Sequence, residues 1–132
     1  MMTDIKQPQV SKVSNELELI EDLEIINLNY DLWRLTLTMT VPKFKKMVYV
    51  TFENVLGFRV LDEGDLLEFW NLSKKPTGFI WIVESGGWFD LEKTRSGFVS
   101  GHQKENQEYL IIGINECVSV LSHKIPIIQI IN

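Results

Sequence analysis

The stretch that decides the fold is WRLTLTMTV, residues 33–41, in which apolar and polar side chains alternate without a break. Successive side chains of a β-strand point to opposite faces, so an alternation of period two predicts a strand with one apolar face. Threonine suits the other face because β-branched residues pack well on a pleated sheet. We expect the apolar side chains to face a core, namely Trp33, Leu35, Leu37, Met39 and Val41.

A second alternating run begins a few residues later and predicts the partner of this strand. Val48, Val50 and Phe52 take its apolar positions. Pro42 ends the first run because proline cannot donate to a β-ladder, and the lysines that follow suit a solvated turn. Two such runs joined by a short loop predict an antiparallel hairpin. Gly57 then interrupts the pattern, which indicates a bulge or a bend.

Further strands are predicted on both sides of this hairpin. Residues 79–84 and 125–131 are short apolar runs, and 109–121 is a longer one that we expect to bend near its middle. Residues 15–28 fit either a strand or a helical stripe, and the β-rich sequence that follows favours one or two strands. Residues 88–108 are predicted to be mostly loop.

One short helix is predicted near 65–72. Asp65 followed three residues later by Glu68 has the spacing of an N-terminal cap and its reciprocal partner. Asp62 and Glu63 precede this pair and suit the positive end of a helix. We therefore interpret the carboxylates of this region as capping and solvating groups.

The predicted elements define a mainly β, α+β fold with six or seven strands and one helix. We expect a curved antiparallel sheet, open or closed into a half-barrel, and a β-sandwich is the alternative. Residues 1–14 are polar, contain Pro8 and lack periodicity, so we interpret them as a flexible tail. Residues 15–132 then form a single β-rich domain, a length that fits one core.

Composition limits the classes of function open to this chain. It has 132 residues, a net charge of −5 and a sequence pI near 5.0. Acidic groups repel the phosphate backbone, so we expect no nucleic-acid partner, whereas a basic protein would be attracted. No run approaches the roughly 18 apolar residues of a membrane span, and the first residues lack a signal-peptide core. We therefore expect no membrane association and a cytoplasmic location.

The chemically reactive residues match no catalytic or metal-binding motif. His102 and His123 each lack a second ligand at metal-binding spacing. Cys117 is the single cysteine, which excludes an intrachain disulfide, and it lies in an apolar strand beside Glu116, which disfavours an activated thiolate. We therefore predict that the protein is not an enzyme and uses no metal and no cofactor.

The segment 84–108 is the predicted partner-binding region. Trp88 follows two glycines and leads into a region where aromatic and acidic side chains are mixed. An aromatic anchor surrounded by charged groups is typical of a protein–protein interface. We expect Trp88 to be the anchor, with carboxylates around it from Glu84, Asp90, Glu92, Glu105 and Glu108.

Three stretches resemble small bacterial immunity proteins of toxin–immunity pairs, including those of contact-dependent growth inhibition. They are TFENVLGFRVLDEGDLLEFW at 51–70, WIVESGGWF at 81–89 and YLIIGINECVSVLSHKIPIIQI at 109–130. The resemblance lies in an aromatic strand that enters a short helix and in a final strand that precedes a proline. It implies an inhibitor that neutralises a cognate toxin domain by tight stoichiometric binding. Many such toxins resemble nucleases, which are basic, and an acidic inhibitor would complement them.

A small-ligand-binding protein is the alternative function. The apolar faces of 33–41 and 109–121 would then enclose a cavity of several hundred cubic ångströms, as ligand sites usually do. A core filled by side chains would argue against this alternative.

Overall fold

A computed structural model describes residues 7–13, 22–41, 45–72, 76, 78–98 and 105–131. Within these ranges the chain forms nine β-strands, two short α-helices and a 3-10 turn at Glu63–Asp65. The strands are β1 (Gln9–Lys12), β2 (Glu24–Tyr30), β3 (Arg34–Val41), β4 (Lys46–Glu53), β5 (Val55–Asp62), β6 (Ile80–Ser85), β7 (Gln107–Ile112), β8 (Glu116–Ser122) and β9 (Ile127–Ile131). The helices are α1 (Leu67–Trp70) and α2 (Trp88–Glu92).

The strands form two antiparallel sheets. One sheet has the order β1-β6-β7-β8-β5 and the other the order β2-β3-β4-β9. The predicted mainly β, antiparallel class is confirmed. The strands are divided between two sheets that share one core, as in the β-sandwich alternative, rather than joined in one curved sheet or a half-barrel.

The core lies between the facing sides of the two sheets. The predicted hairpin is present, because β3 pairs with β4 along its whole length and alternate residues of both strands are buried. Leu35, Leu37 and Met39 are inaccessible to solvent, as are Val48, Val50 and Phe52 of the partner strand. On the other sheet the core residues are Ile80, Tyr109, Ile111, Val118 and Val120. These side chains occupy the space that the ligand-binding alternative would need as a cavity.

The two helices cover the outer face of the five-stranded sheet. Leu66 and Phe69 pack with Trp81, Leu110 and Cys117 in a second buried cluster beneath α1. α2 lies over β7 on the same face. The described part of the chain thus has three layers, which are the four-stranded sheet, the five-stranded sheet and the helices. Since the longer helix has five residues, no helix in these ranges is long and apolar enough to cross a membrane.

Two connections carry the chain directly from one sheet into the other. β4 ends at Glu53 and β5 begins at Val55, so Asn54, at φ 54°, is the whole connection. Asparagine adopts a positive φ more readily than most residues, which allows this abrupt change of direction. A register shift between Val55 and Gly57 follows and confirms the predicted irregularity at Gly57. β8 likewise passes into β9 of the other sheet through residues 123–126.

Trp33 is not in the core, so that part of the prediction is wrong. Its side chain is 75% exposed because β3 begins at Arg34 and Trp33 lies in the preceding turn. Asp31 Oδ1 accepts hydrogen bonds from the backbone N–H groups of Trp33 and Arg34 at 2.9 and 2.7 Å. Leu32, at φ 78°, reverses the chain there. The alternation in the sequence thus extends one residue beyond the strand.

Other boundaries also differ from the prediction. Gln9–Lys12, expected in the flexible tail, form β1 and pair with β6. The run 109–121 contains two strands rather than one bent strand, since β7 and β8 pair on either side of a turn at 113–115. The strand expected within 15–28 is present from Glu24, and residues 14–21 lie outside the described ranges.

The predicted helix near 65–72 is present as α1, but its predicted cap is wrong. α1 begins after Leu66 and receives no hydrogen bond from a capping side chain. Asp62 caps the 3-10 turn instead, since its Oδ2 accepts a 2.9 Å hydrogen bond from the backbone N–H of Gly64. Asp65 is inside that turn and therefore cannot be the N-terminal cap of α1.

Candidate functional site

The buried carboxylate of Glu108 holds α2 on the sheet. Glu108 lies on β7 beneath the helix and is 1% exposed. Its Oε1 accepts a hydrogen bond from the backbone N–H of Phe89 at 2.8 Å, and its Oε2 accepts one from that of Trp88 at 3.2 Å. The first N–H groups of a helix have no partner within the helix, so Glu108 satisfies donors that would otherwise be buried unpaired.

The environment of Glu108 has opposing effects on its acidity. Burial raises the pKa of this carboxyl above its ordinary value of 4.5, while the N–H groups of Phe89 and Trp88 and the charge of Arg59 offset part of that rise. Glu108 is therefore an internal support for α2, and it is not one of the accessible rim charges that the sequence predicted.

Gly87 allows the chain to approach Glu108 closely. A Cβ atom at this position would lie 2.6 Å from Cγ1 of Val83 and 2.7 Å from Oε1 of Glu108. Gly86, at φ 78°, turns the chain just before, and its N–H donates to Oδ2 of Asp90 at 2.7 Å. The two glycines thus bring the start of α2 into direct contact with the sheet.

Trp88, the predicted anchor, is partly buried and connects α2 to β5. Its Cη2 lies 3.6 Å from the position that a Cβ would take on Gly57. The guanidinium carbon of Arg59 lies 5.3 Å from the centroid of the Trp88 ring, within reach of a cation–π interaction. The indole Nε1 donates to Oε2 of Glu92 at 3.0 Å. The ring is therefore fixed in one orientation, with part of its surface still accessible.

Two of the predicted rim carboxylates are paired with neighbouring bases. Nζ of Lys93 lies 3.5 Å from Oδ1 of Asp90, and Arg95 forms an ion pair with Glu92. The Lys93 ammonium also lies 4.4 Å from the centroid of the Phe89 ring. Exposed pairs of this kind add little stability, but they reduce the net negative charge around α2.

This surface also includes an exposed apolar side chain, that of Leu91, which is 63% exposed on α2. Glu84 and Glu105 are exposed near the two ends of the connection between β6 and β7. We name this surface the α2 platform and define it as Glu84, residues 88–95 and Glu105. Sequence reasoning missed Leu91 because the segment was expected to be mostly loop. The sequence does contain a pattern that indicates its position, because Leu91 follows Trp88 by three residues and this spacing places both on one side of a helix.

A cleft of about 300 Å³ opens beside the α2 platform. Both apolar and polar side chains line it, namely those of Ile82, Val83, Glu84, Phe89, Lys93, Asn106, Gln107 and Glu108. This volume is at the lower end of the range for small-ligand sites. A protruding side chain of a partner protein would fit inside it.

Two of the three residues considered for catalysis, Cys117 and His123, lie in the described part of the chain. Cys117 is buried beneath α1, and burial raises the pKa of its thiol to about 11. His123 is exposed in the connection between β8 and β9, and His102 lies outside the described residues.

Comparison with known proteins identifies no relative: no family model, no curated protein and no solved structure matches this chain.

Proposed function

We propose that this chain is an inhibitor of the immunity-protein type, which neutralises a cognate, basic toxin domain by tight stoichiometric binding. The observation that supports the proposal is that hydrogen bonds to Glu108 hold α2 on the sheet. A five-residue helix is too short to be stable alone, yet the carboxylate of Glu108 fixes it with Leu91 exposed to solvent. A contact surface that is already ordered loses little conformational entropy on binding, which favours high affinity.

The charge of the chain supports a basic partner. The net charge of −5 would accelerate encounter with a positively charged protein. Because Lys93 and Arg95 partly balance Asp90 and Glu92, we assign this steering to the whole chain and to the exposed Glu84 and Glu105. Trp88 and Leu91 would then provide the apolar contact at the centre of the interface.

Binding rather than catalysis is the activity that these residues suit. The Glu108 carboxylate holds α2, and Asp90 and Glu92 are paired with neighbouring bases. The Cys117 thiol is buried. We therefore propose a protein without enzymatic activity, metal or cofactor. Its proposed place of action is the cytoplasm, where an inhibitor would meet a toxin that has entered the cell.

Recovery of the partner is the direct test of this proposal. The tagged full-length chain is isolated from its own cells at physiological salt, and the proteins that accompany it are identified by mass spectrometry. We expect one basic protein in equal amount, toxic when expressed alone and harmless when expressed with this chain. Recovery of the chain alone from cells that express the neighbouring genes would contradict the proposal, as would a partner whose toxicity is not relieved.

A matched pair of substitutions tests the α2 platform. Leu91→Glu introduces a charge at the centre of the platform, and Leu67→Glu makes the same change on α1, where Leu67 is 60% exposed. We expect Leu91→Glu to weaken binding by about 30-fold or more, as loss of a central contact worth about 2 kcal/mol does, and Leu67→Glu to leave it unchanged. Equal affinities of the two variants would show that the platform is not the interface.

A further inference from the structure

A groove separates the edges of the two sheets on the side away from β1 and β9. β2 is an edge strand of the four-stranded sheet and β5 an edge strand of the five-stranded sheet. The groove between them measures about 170 Å³. Its lining residues come from β2, β5 and β8 and are Ile25, Ile26, Asn27, Leu28, Val60, Glu116 and Val118.

Two apolar side chains of this groove, those of Val60 and Ile26, are accessible to solvent. Val60 lies directly across from Val118, which is fully buried, yet Val60 is 49% exposed. Ile26 lies at a register shift in β2, without a paired residue on β3, and is 51% exposed. The sandwich is therefore incompletely closed at this position.

Contacts on both sides of the opening fix its width. Tyr30 and Phe58 meet edge to face, with ring centroids 5.2 Å apart. At the opposite end, the backbone N–H of Ile114 donates to the carbonyl oxygen of Leu23 at 2.9 Å. β2 is thus attached to the other sheet at both ends and separated from it in the middle, so the groove is a stable feature of the fold.

One end of the groove carries several carboxylates. Glu116 lines the groove and lies directly across from Asp62 on β5. Asp22 and Glu24 flank Leu23, whose carbonyl contacts the turn just before Glu116. Like charges directly opposite each other in a sheet are destabilising, so the Asp62–Glu116 arrangement costs stability in the free chain. A cation bound at this end would relieve that repulsion.

We propose that this groove binds a basic segment of a partner protein. An apolar side chain of the segment lies on Ile26 and Val60, and an adjacent lysine or arginine reaches Glu116 and Asp62. Long cationic side chains suit such a site because their carbon stems pack on apolar surface while their heads approach carboxylates. The groove is separate from the α2 platform, so this inference does not rest on the proposed interface there.

The first test uses a fluorescein-labelled eight-residue peptide of alternating lysine and leucine as the probe. It is titrated into the isotopically labelled full-length chain and followed by fluorescence and by amide chemical shifts. We expect saturable binding with the largest shift changes at 25–28, at Val60 and at Glu116. Binding without those shift changes would overturn the proposal, as would equal affinity for a peptide in which glutamate replaces lysine.

Matched variants test the two parts of the site. Val60→Lys places a cation in the groove, and Leu56→Lys makes the same charge change on the same strand, where Leu56 is 40% exposed and outside the groove. We expect the peptide to bind Val60→Lys about tenfold more weakly than Leu56→Lys, a difference of about 1.4 kcal/mol. Glu116→Gln should weaken binding, whereas Glu68→Gln, at an exposed position on α1 outside both surfaces, should not.

A conservative variant allows the groove to be tested even if Val60→Lys does not fold. Val60→Thr keeps the β-branched shape and the strand propensity, so it should fold even if Val60→Lys does not. We expect Val60→Thr to weaken peptide binding severalfold. If both Val60 variants fold and bind the peptide as well as Leu56→Lys, the groove is not the site.

Discussion

The side chain of Glu108 replaces the internal hydrogen-bond partners that the first residues of a helix lack. Substitution of Glu108 by alanine would leave the N–H groups of Trp88 and Phe89 buried without an acceptor. We expect Glu108→Ala to lower the free energy of unfolding by about 1–3 kcal/mol, measured by urea denaturation. Glu84→Ala is the control, since Glu84 is exposed on a strand of the same sheet.

The effect of this substitution should depend on pH in a defined direction. Because the pKa of Glu108 is raised in the folded chain, the folded state binds more protons than the unfolded state between the ordinary value of 4.5 and the raised value. Stability contributed by Glu108 is thus fully present below 4.5 and decreases as the pH rises through that window. We expect the destabilisation by Glu108→Ala to shrink across the window, and a destabilisation that grows with pH would contradict the assignment.

Cys117 provides a second test at the scale of one side chain. Its thiol is buried and its pKa is raised to about 11, so little thiolate forms near neutral pH. We expect no reaction with a chromogenic disulfide reagent in the folded chain and stoichiometric reaction of one thiol in denaturant. Rapid labelling under native conditions would show that α1 opens away from the sheet.

At the scale of an element, α2 depends on residues that lie outside it. Gly87→Ala would place a Cβ against Val83 and Glu108 and displace the helix, so we expect a loss of about 1–3 kcal/mol, as overpacked sites show. Gly97→Ala is the matched control because nothing lies within 4 Å of its Cβ position. Thermal denaturation of both variants measures the difference, and equal stabilities would show that α2 is not held against Glu108.

The same dependence explains which elements the sequence could predict. β3 and β4 were predictable because the alternation from Leu35 to Val41 and from Val48 to Phe52 is local and long enough to be unambiguous. α2 was not predictable, since it is stabilised by Glu108, about 20 residues away, which has no counterpart in the local pattern. Trp33 was wrongly predicted to be buried, because this turn residue continues the alternating pattern of β3 one position beyond the strand.

The partner-binding role of the segment around Trp88 stays a prediction, and its arrangement could not be predicted from the sequence. The segment was chosen for its mixture of aromatic and acidic residues, and the structure shows that Trp88–Glu92 form a short helix with Leu91 exposed. The inward position of Glu108 and the exposure of Leu91 both follow from how α2 lies on the sheet. Sequence alone therefore assigned equal roles to carboxylates that the fold separates into one support, two ion-paired groups and two exposed charges.

At the scale of the whole molecule, β1 protects an edge of the five-stranded sheet. Its residues pair with β6, and Val10 packs on the outer cluster. Deletion of residues 1–13 would expose the edge of β6, so we expect a thermal midpoint lower by about 5 °C or more and self-association at high concentration. Deletion of residues 1–6, which leaves β1 complete, is the control. Unchanged stability and a monomeric profile after the longer deletion would contradict this role.

The passage of the chain between sheets at Asn54 has a consequence for the synthesis of the protein. β4 requires β9 as its outer neighbour, and β5 requires β8, so neither sheet can be completed by the first half of the chain. Pairings between such distant segments form slowly, because the chain loses the entropy of closing a long loop before the new contacts stabilise it. While the ribosome is still making residues 80–115, the hairpin of β3 and β4 has no opposite sheet to cover its apolar face. The apolar face of this hairpin therefore stays exposed on the nascent chain until residue 131 has been synthesised. A chaperone would bind the chain during this interval.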